Sequence, residues 1–284
     1  ENHKLKLYRT FYQSYIQEAN INYDIIMNTS LKDLRYLYRY GMFITEVNIK
    51  MAQFINAYPE KELNDIACYI VQCWIDGFTR SNKNYRIKQT ASIIVPCGME
   101  RLGCLIYNEL DKIGIKGQFN VPYKIHENKQ FTYDHRFDNA LIIDRDYTDM
   151  KINVYAEVVE DLKDLVSGDA GPVYVELFGE TPFSPVAKNT ALALTDEQQQ
   201  LSREFMSKSA QIYYQYYRRD QGSFCIIAFP SPEIGEHFPE IFADTLKINL
   251  LDSMHYAKIQ QNIIDVLDKA DYVNVKGKPG NDTD

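Results

Sequence analysis

The sequence predicts an α/β fold, an open and mostly parallel sheet with flanking helices, preceded by an all-helical section. Three features predict it. The run FCIIAF at 224–229 is apolar without polar alternation, the pattern of a strand covered on both faces. From about residue 88 onward strand-like and helix-like segments alternate five times, as parallel strands joined by helical crossovers do. Before that, residues 1–84 carry helical periods alone.

Within the helical section, Leu5, Leu7, Phe11, Tyr12 and Tyr15 are spaced for a first helix over 4–19. A second is expected from an N-cap at Ser30, with Leu34, Leu37, Gly41, Ile44, Met51 and Ile55 on one stripe as far as Ala57. Pro59 suits the first turn of a third, which buries Leu63, Ile66, Ala67, Ile70, Trp74 and Phe78. The polar stretch 81–84 closes the section.

The remainder, 85–284, is predicted to be a Rossmann-like α/β domain. TASIIVP at 90–96 is a buried-type strand, and a helix over 98–113 places Leu102, Ile106 and Leu110 on one face before Gly114 stops it. A weaker strand follows at 115–121. Residues 122–146 are polar and without a long period. A helix over 148–165 aligns Ile152, Tyr155, Val159 and Leu162, and PVYVELF at 172–178 is the next strand. Thr195 with Gln198 forms a capping-box signature for a helix reaching about Tyr217. After FCIIAF comes a long helical pattern and a last short strand at 272–276.

The totals exclude several classes. A net charge of -8 argues against a protein held to nucleic acid by phosphate contacts. No run approaches the roughly 18 apolar residues of a membrane span, and the first ten residues lack a signal-peptide layout. Five cysteines without a CxxC pair point to reduced thiols in a cytoplasm. The chain begins at Glu1 without Met and stops at GNDTD, directly after a strand with no following helix, which reads as a piece of a longer protein.

Ligands of such sheets are expected at the carboxyl ends of the strands. Three loops fall there, and each holds a glutamate: Glu100, Glu180 and Glu233. Together they could recognise an amino group or contact a partner domain; the plainer role is carboxylates favoured by the helix dipole. Asp134, His135 and Asp138 offer oxygen and nitrogen donors at short spacing, although carboxylates before an apolar run more often cap a helix. Cys97, at a strand-to-helix turn, is a candidate nucleophile set against the commoner buried structural thiol. Tyr213, Tyr214, Tyr216, Tyr217, Arg218 and Arg219 resemble a stacking cluster for single strands, against which the acidic balance weighs. No GxGxxG or phosphate loop is present, so no nucleotide is expected.

The segments PVYVELFGETPFSP, SFCIIAFPSPEIGEHF and YVNVKGKPGNDTD, in that order, resemble the amino-terminal half of the aminopeptidase T family of metallopeptidases. The likeness is closest to a larger clostridial-type leucyl aminopeptidase branch, which carries stretches similar to SLKDLRYLYRYGMFITEVN and NKQFTYDHRFDNALIID, and it covers residues 30–284. None of these motifs is a catalytic signature, and small members of the family lack the helical section. The resemblance implies an amino-terminal Rossmann-like domain followed by a carboxyl-terminal metallopeptidase domain. That second domain would hold two divalent ions (Zn, Co or Mn) that activate water against the N-terminal peptide bond. The family's metal ligands lie beyond the GNDTD-like segment, so no catalytic or metal residue is carried onto this chain. The implied partners are the chain's own carboxyl-terminal domain, a peptide substrate and a second copy, with no nucleic acid and no membrane. A rival of another class is a binding or scaffolding module from a branch without peptidase activity. A third, an autonomous hydrolase built on Cys97 or on Asp134 to Asp138, requires turnover by this chain alone.

Overall fold

The computed structural model describes residues 2–16, 20–122, 128–251, 253–277 and 282–283. Its described α-helices are α1 (Asn2–Tyr15), α2 (Ile21–Asn28), α3 (Glu46–Ala57), α4 (Glu60–Arg80), α5 (Glu100–Lys112), α6 (Lys129–Asp134), α7 (Arg145–Asp161), α8 (Lys163–Gly168), α9 (Asp196–Tyr213), α10 (Phe238–Asn249) and α11 (Ser253–Leu267). The strands are β1 (Thr90–Ile94), β2 (Lys116–Asn120), β3 (Val173–Phe178), β4 (Cys225–Pro230), β5 (Val275–Lys276) and β6 (Asp282–Thr283). The chain divides into two compact units, Glu1–Phe242 and Ala243–Asp284.

The first unit is α/β. Its four strands are all parallel in the order β2-β1-β3-β4, so the chain leaves β1 in one direction for β2 and returns past it to β3 and β4. Ala91, Ile93, Val173, Val175 and Phe229 fill the sheet's core. α4 and α5 pack side by side, α5 reaching β1 and β2 and α4 reaching β3 and β4. α1, α7 and α9 pack on one another as further helical cover, with Lys4 paired to Glu157 at 2.7 Å and Tyr8 donating to Asp161 at 2.7 Å. The sequence-predicted helical section is thus part of the same compact unit as the sheet.

Why these segments fold as they do is local. α4 buries Leu63, Ile66, Ala67, Ile70, Trp74 and Phe78 at threes and fours, as its stripe predicts. Thr195 and Gln198 form the expected reciprocal capping box at the start of α9. Gly114 stops α5 at φ 80°, a conformation an L side chain resists.

Five expectations are corrected. The stripe over 30–57 is not one helix. Leu34–Tyr40 is a 3-10 helix capped by Asp33, Gly41 turns the chain at φ 65°, and α3 begins afresh at a Thr45–Asn48 capping box. Ser30 caps nothing there, and α2 was not foreseen. The α9 helix ends at Tyr213, four residues before the expected Tyr217, and the pattern after β4 is split into α10 and α11. β4, an edge strand of the described sheet, is not covered on both faces: it buries Ile227 and Phe229 and leaves Ile226 exposed, like Phe224 just before it. The expected last strand shrinks to β5, which joins an antiparallel ladder with β6 and not the parallel sheet. Its surroundings, YVNVK, alternate apolar and polar, whereas a strand inside a parallel sheet needs a continuous apolar run.

In the second unit every residue from 258 to 277 is exposed, including Ile259, Ile263 and Val266 along α11. Residues 17–19 of the expected first helix and 278–281 of the GKPGNDTD motif lie outside the described residues, as does His126. No helix among the described residues is long and apolar enough to cross a membrane.

Candidate functional site

The strand order reverses between β1 and β3, and the loops that follow these two strands part company there. In open parallel sheets that parting leaves a crevice at the carboxyl edge. Here it has a volume of about 430 Å³, within the range of small-molecule pockets. Met42, Val47 and Met51 come to it from the helical section, Val175 and Leu177 from β3, and Pro96 and Cys97 from the loop after β1. Glu176, Glu180 and Ser231 supply polar groups.

The floor is held by backbone geometry. Gly98 adopts φ 102°, and a Cβ there would stand 2.8 Å from the Asn48 carbonyl oxygen and 2.9 Å from Met51 Cβ. Only glycine lets the loop lie this close to α3. Asn48 Nδ2 then donates to the Cys97 carbonyl at 3.2 Å, tying the loop to the same residue that caps α3.

Glu100 does not reach the surface. The first residue of α5 is fully buried, folds back to accept the Gly98 N–H at 2.9 Å, and accepts the Tyr36 hydroxyl at 2.6 Å. The Tyr40 hydroxyl and Glu100 Oε1 influence each other electrostatically, but neither completes a hydrogen bond of good geometry. Burial pushes the Glu100 carboxyl above the usual range, and the hydrogen bonds from Tyr36 and the Gly98 backbone pull part of the way back. Burial first, then the neighbouring Glu100 charge, raises both phenols. Glu100 is therefore a positioning residue: it fixes Gly98, and with it the floor, from within.

Glu180 and Glu233 do come together. Lys129 Nζ bridges them at 3.4 and 3.5 Å, and Glu233 also accepts the Thr181 N–H at 2.9 Å. Ser231 N–H donates to the Phe178 carbonyl at 2.6 Å, so the loops after β3 and β4 form one wall. Gln130 exchanges two hydrogen bonds of 2.8 Å with the Val186 backbone and binds α6 to that wall.

Asp134, His135 and Asp138 do not converge. Asp134 faces Lys188 at 2.8 Å, which holds its carboxyl below the usual range, and also accepts from Gln130. The His135 Nδ1 lies 3.1 Å from the Asp138 carboxylate, its ring stacked on Phe131. With Asp134 paired to Lys188 and Asp138 turned to the His135 ring, the set does not fit a paired metal centre; among the described residues no group of three His, Cys, Asp or Glu is placed to hold a cation.

The other sequence candidates are placed as follows. Cys97 lines the crevice and is 6 % exposed, and none of the five cysteines forms a disulfide. Tyr213 donates to the half-buried Asp169 at 2.8 Å, Arg218 pairs with Asp220 at 2.7 Å, and Arg219 lies over the Tyr214 ring. The cluster read as a stacking surface thus spends its charges internally.

Sequence reasoning missed Glu176, Tyr36 and Tyr40. Glu176 left a signal, since it is the one charged residue in β3. The tyrosines left none. Comparisons of the chain with protein-family models, with curated proteins and with solved structures find no match.

Proposed function

We propose that the chain is the non-catalytic amino-terminal region of a metal-dependent cytoplasmic aminopeptidase, a Rossmann-like module that shapes how a peptide approaches an active site held by a further domain of the same protein. One observation carries this reading. Three of the segments behind the family resemblance are scattered over more than 100 residues of sequence, yet they meet at one place. PVYVELFGETPFSP is β3 and its loop, SFCIIAFPSPEIGEHF is β4 and its loop, and NKQFTYDHRFDNALIID opens with α6. Lys129, Glu180, Thr181 and Glu233 join the three beside the crevice. A purely architectural likeness would favour core positions; these contacts are loop contacts at the ligand edge, where function concentrates.

In this reading the two ions would be held by the further domain and would supply the activated water. This chain's own residues would orient the peptide and keep the edge rigid. The test is to assay this chain and the protein with its native continuation side by side on aminoacyl anilides, with Co, Mn or Zn added. Hydrolysis confined to the longer protein supports the reading. Hydrolysis by this chain alone sinks it, and none by either leaves the binding module as the better description.

A further inference from the structure

We propose that the switch-point crevice takes the amino-terminal residue of a peptide, a free α-ammonium group beside an apolar side chain, with Glu176 as the group that binds the charge. The proposal deepens the function proposed above and rests on it for the peptide.

The walls dictate half of the ligand. Met42, Val47, Met51, Val175 and Leu177 present flexible or branched aliphatic surface, which favours an aliphatic side chain over a polar one. The charges dictate the other half. Two carboxylates line the crevice, Glu176 and Glu180, and the lysine paired to Glu180 is already shared: Lys129 spans Glu180 and Glu233. Among the described residues the Glu176 carboxylate, unlike its backbone in the β3 ladder, has neither a hydrogen bond nor an ion pair. A carboxylate at the rim of an apolar crevice without a cation of its own favours a ligand that brings one. Among the described residues an anionic ligand would meet two carboxylates and one committed lysine, and a neutral one would gain no charge-assisted bond from Glu176. The site should therefore select against N-acylated chains, whose nitrogen carries no charge.

The structure offers a second contact at a suitable place. Ser231 Oγ accepts the Glu233 N–H at 3.3 Å, which leaves its own hydroxyl hydrogen to donate to the ligand's first carbonyl.

The experiment is a titration of the chain, followed by NMR or calorimetry, with L-leucinamide, glycinamide and N-acetyl-L-leucinamide, repeated on Glu176→Gln. Leucinamide is expected to bind more tightly than glycinamide, and N-acetyl-leucinamide to show no saturable binding. Glu176→Gln should weaken leucinamide by about tenfold or more, the usual scale of a charge-assisted hydrogen bond. Because Glu176 is exposed, the variant should keep its fold; if it does not, the comparison of free and acetylated amide on the unaltered chain still decides. Equal binding of the acetylated amide, equal binding by Glu176→Gln, or no binding of leucinamide overturns the proposal. Amine binding here without hydrolysis by the longer protein would keep this inference and sink the aminopeptidase reading. Hydrolysis without amine binding in the crevice would do the reverse.

Discussion

Gly171→Ala is expected to leave little or no folded protein. Gly171 sits just before β3 at φ 101°, and a Cβ built there would lie 1.9 Å from the Ser223 carbonyl oxygen. That oxygen is backbone, so nothing can rotate away. The junction is also where three strands are stitched together. Ala170 N–H donates to Thr90 O at 2.8 Å, Ser223 N–H to Ala170 O at 2.9 Å, and Cys225 N–H to Pro172 O at 3.0 Å. Moving Gly171 or Ser223 to admit a methyl breaks these bonds and shifts β3 against β4. The backbone conformation alone costs on the order of 1–3 kcal/mol. With the lost ladder bonds, the sum reaches a large part of the roughly 5–15 kcal/mol that a domain has in hand. Gly41→Ala is the control: φ is 65°, nothing lies within 4 Å, and the loss should stay near 1–2 kcal/mol. Denaturant melts compare the two; a Gly171→Ala midpoint no lower than that of Gly41→Ala refutes the account of this junction.

Glu100→Ala and Glu100→Gln are expected to diverge widely. The alanine empties a buried site and leaves the Tyr36 hydroxyl and the Gly98 N–H without their acceptor. At about 1–3 kcal/mol for each stranded polar group, plus the cavity, the loss is about 3 kcal/mol or more. The glutamine keeps the volume and one acceptor oxygen but cannot ionise. Burial raises the folded-state pKa of Glu100 above its ordinary value of 4.5. Below that value both folded and unfolded chains hold the proton, and the site adds no pH dependence. As the pH climbs from 4.5 toward the folded pKa, the unfolded chain releases its proton first, so stability falls; above the folded pKa it falls no further. Relative to wild type, Glu100→Gln should therefore fare better at pH 8 than at pH 4.5. The difference between the two proteins, measured by denaturant titration at both pH values, isolates Glu100 from Asp169, which burial raises in the same direction. A glutamine variant that loses more stability at pH 8 than at pH 4.5 would mean that the carboxylate is carried as an anion the fold needs.

These residues also mark how far the sequence could be read. The strands at 90–94, 173–178 and 225–230 were legible because their apolar runs are short, and α4 because its stripe, Leu63 to Phe78, holds over about four turns. The false helix over 30–57 shows the weakness of periodicity. Leu37, Met51 and Ile55 are all buried, but Gly41 turns the chain between them and the spacing survives by coincidence. Cover was equally hidden: FCIIAF reads as buried on both faces, and only the exposure of Ile226 against the buried Ile227 and Phe229 reveals that one face of β4 is open. At the site, the carboxyl edge followed from the alternation of elements. The role of Glu100 did not, because its Oε2 is met by a tyrosine 64 residues earlier in the chain. Nothing local separates a carboxylate at a helix start that faces solvent from one that folds inward.

The central claim is that the carboxyl-edge crevice is where this molecule meets its ligand, and hydrogen exchange of the chain with and without the dipeptide leucyl-leucine tests it most directly. The account predicts added protection at Gly98, at Leu177 to Thr181 and at Ser231 to Ile234, with the amino edge around Asp169 unchanged. Protection elsewhere, or none at saturating dipeptide, would contradict it.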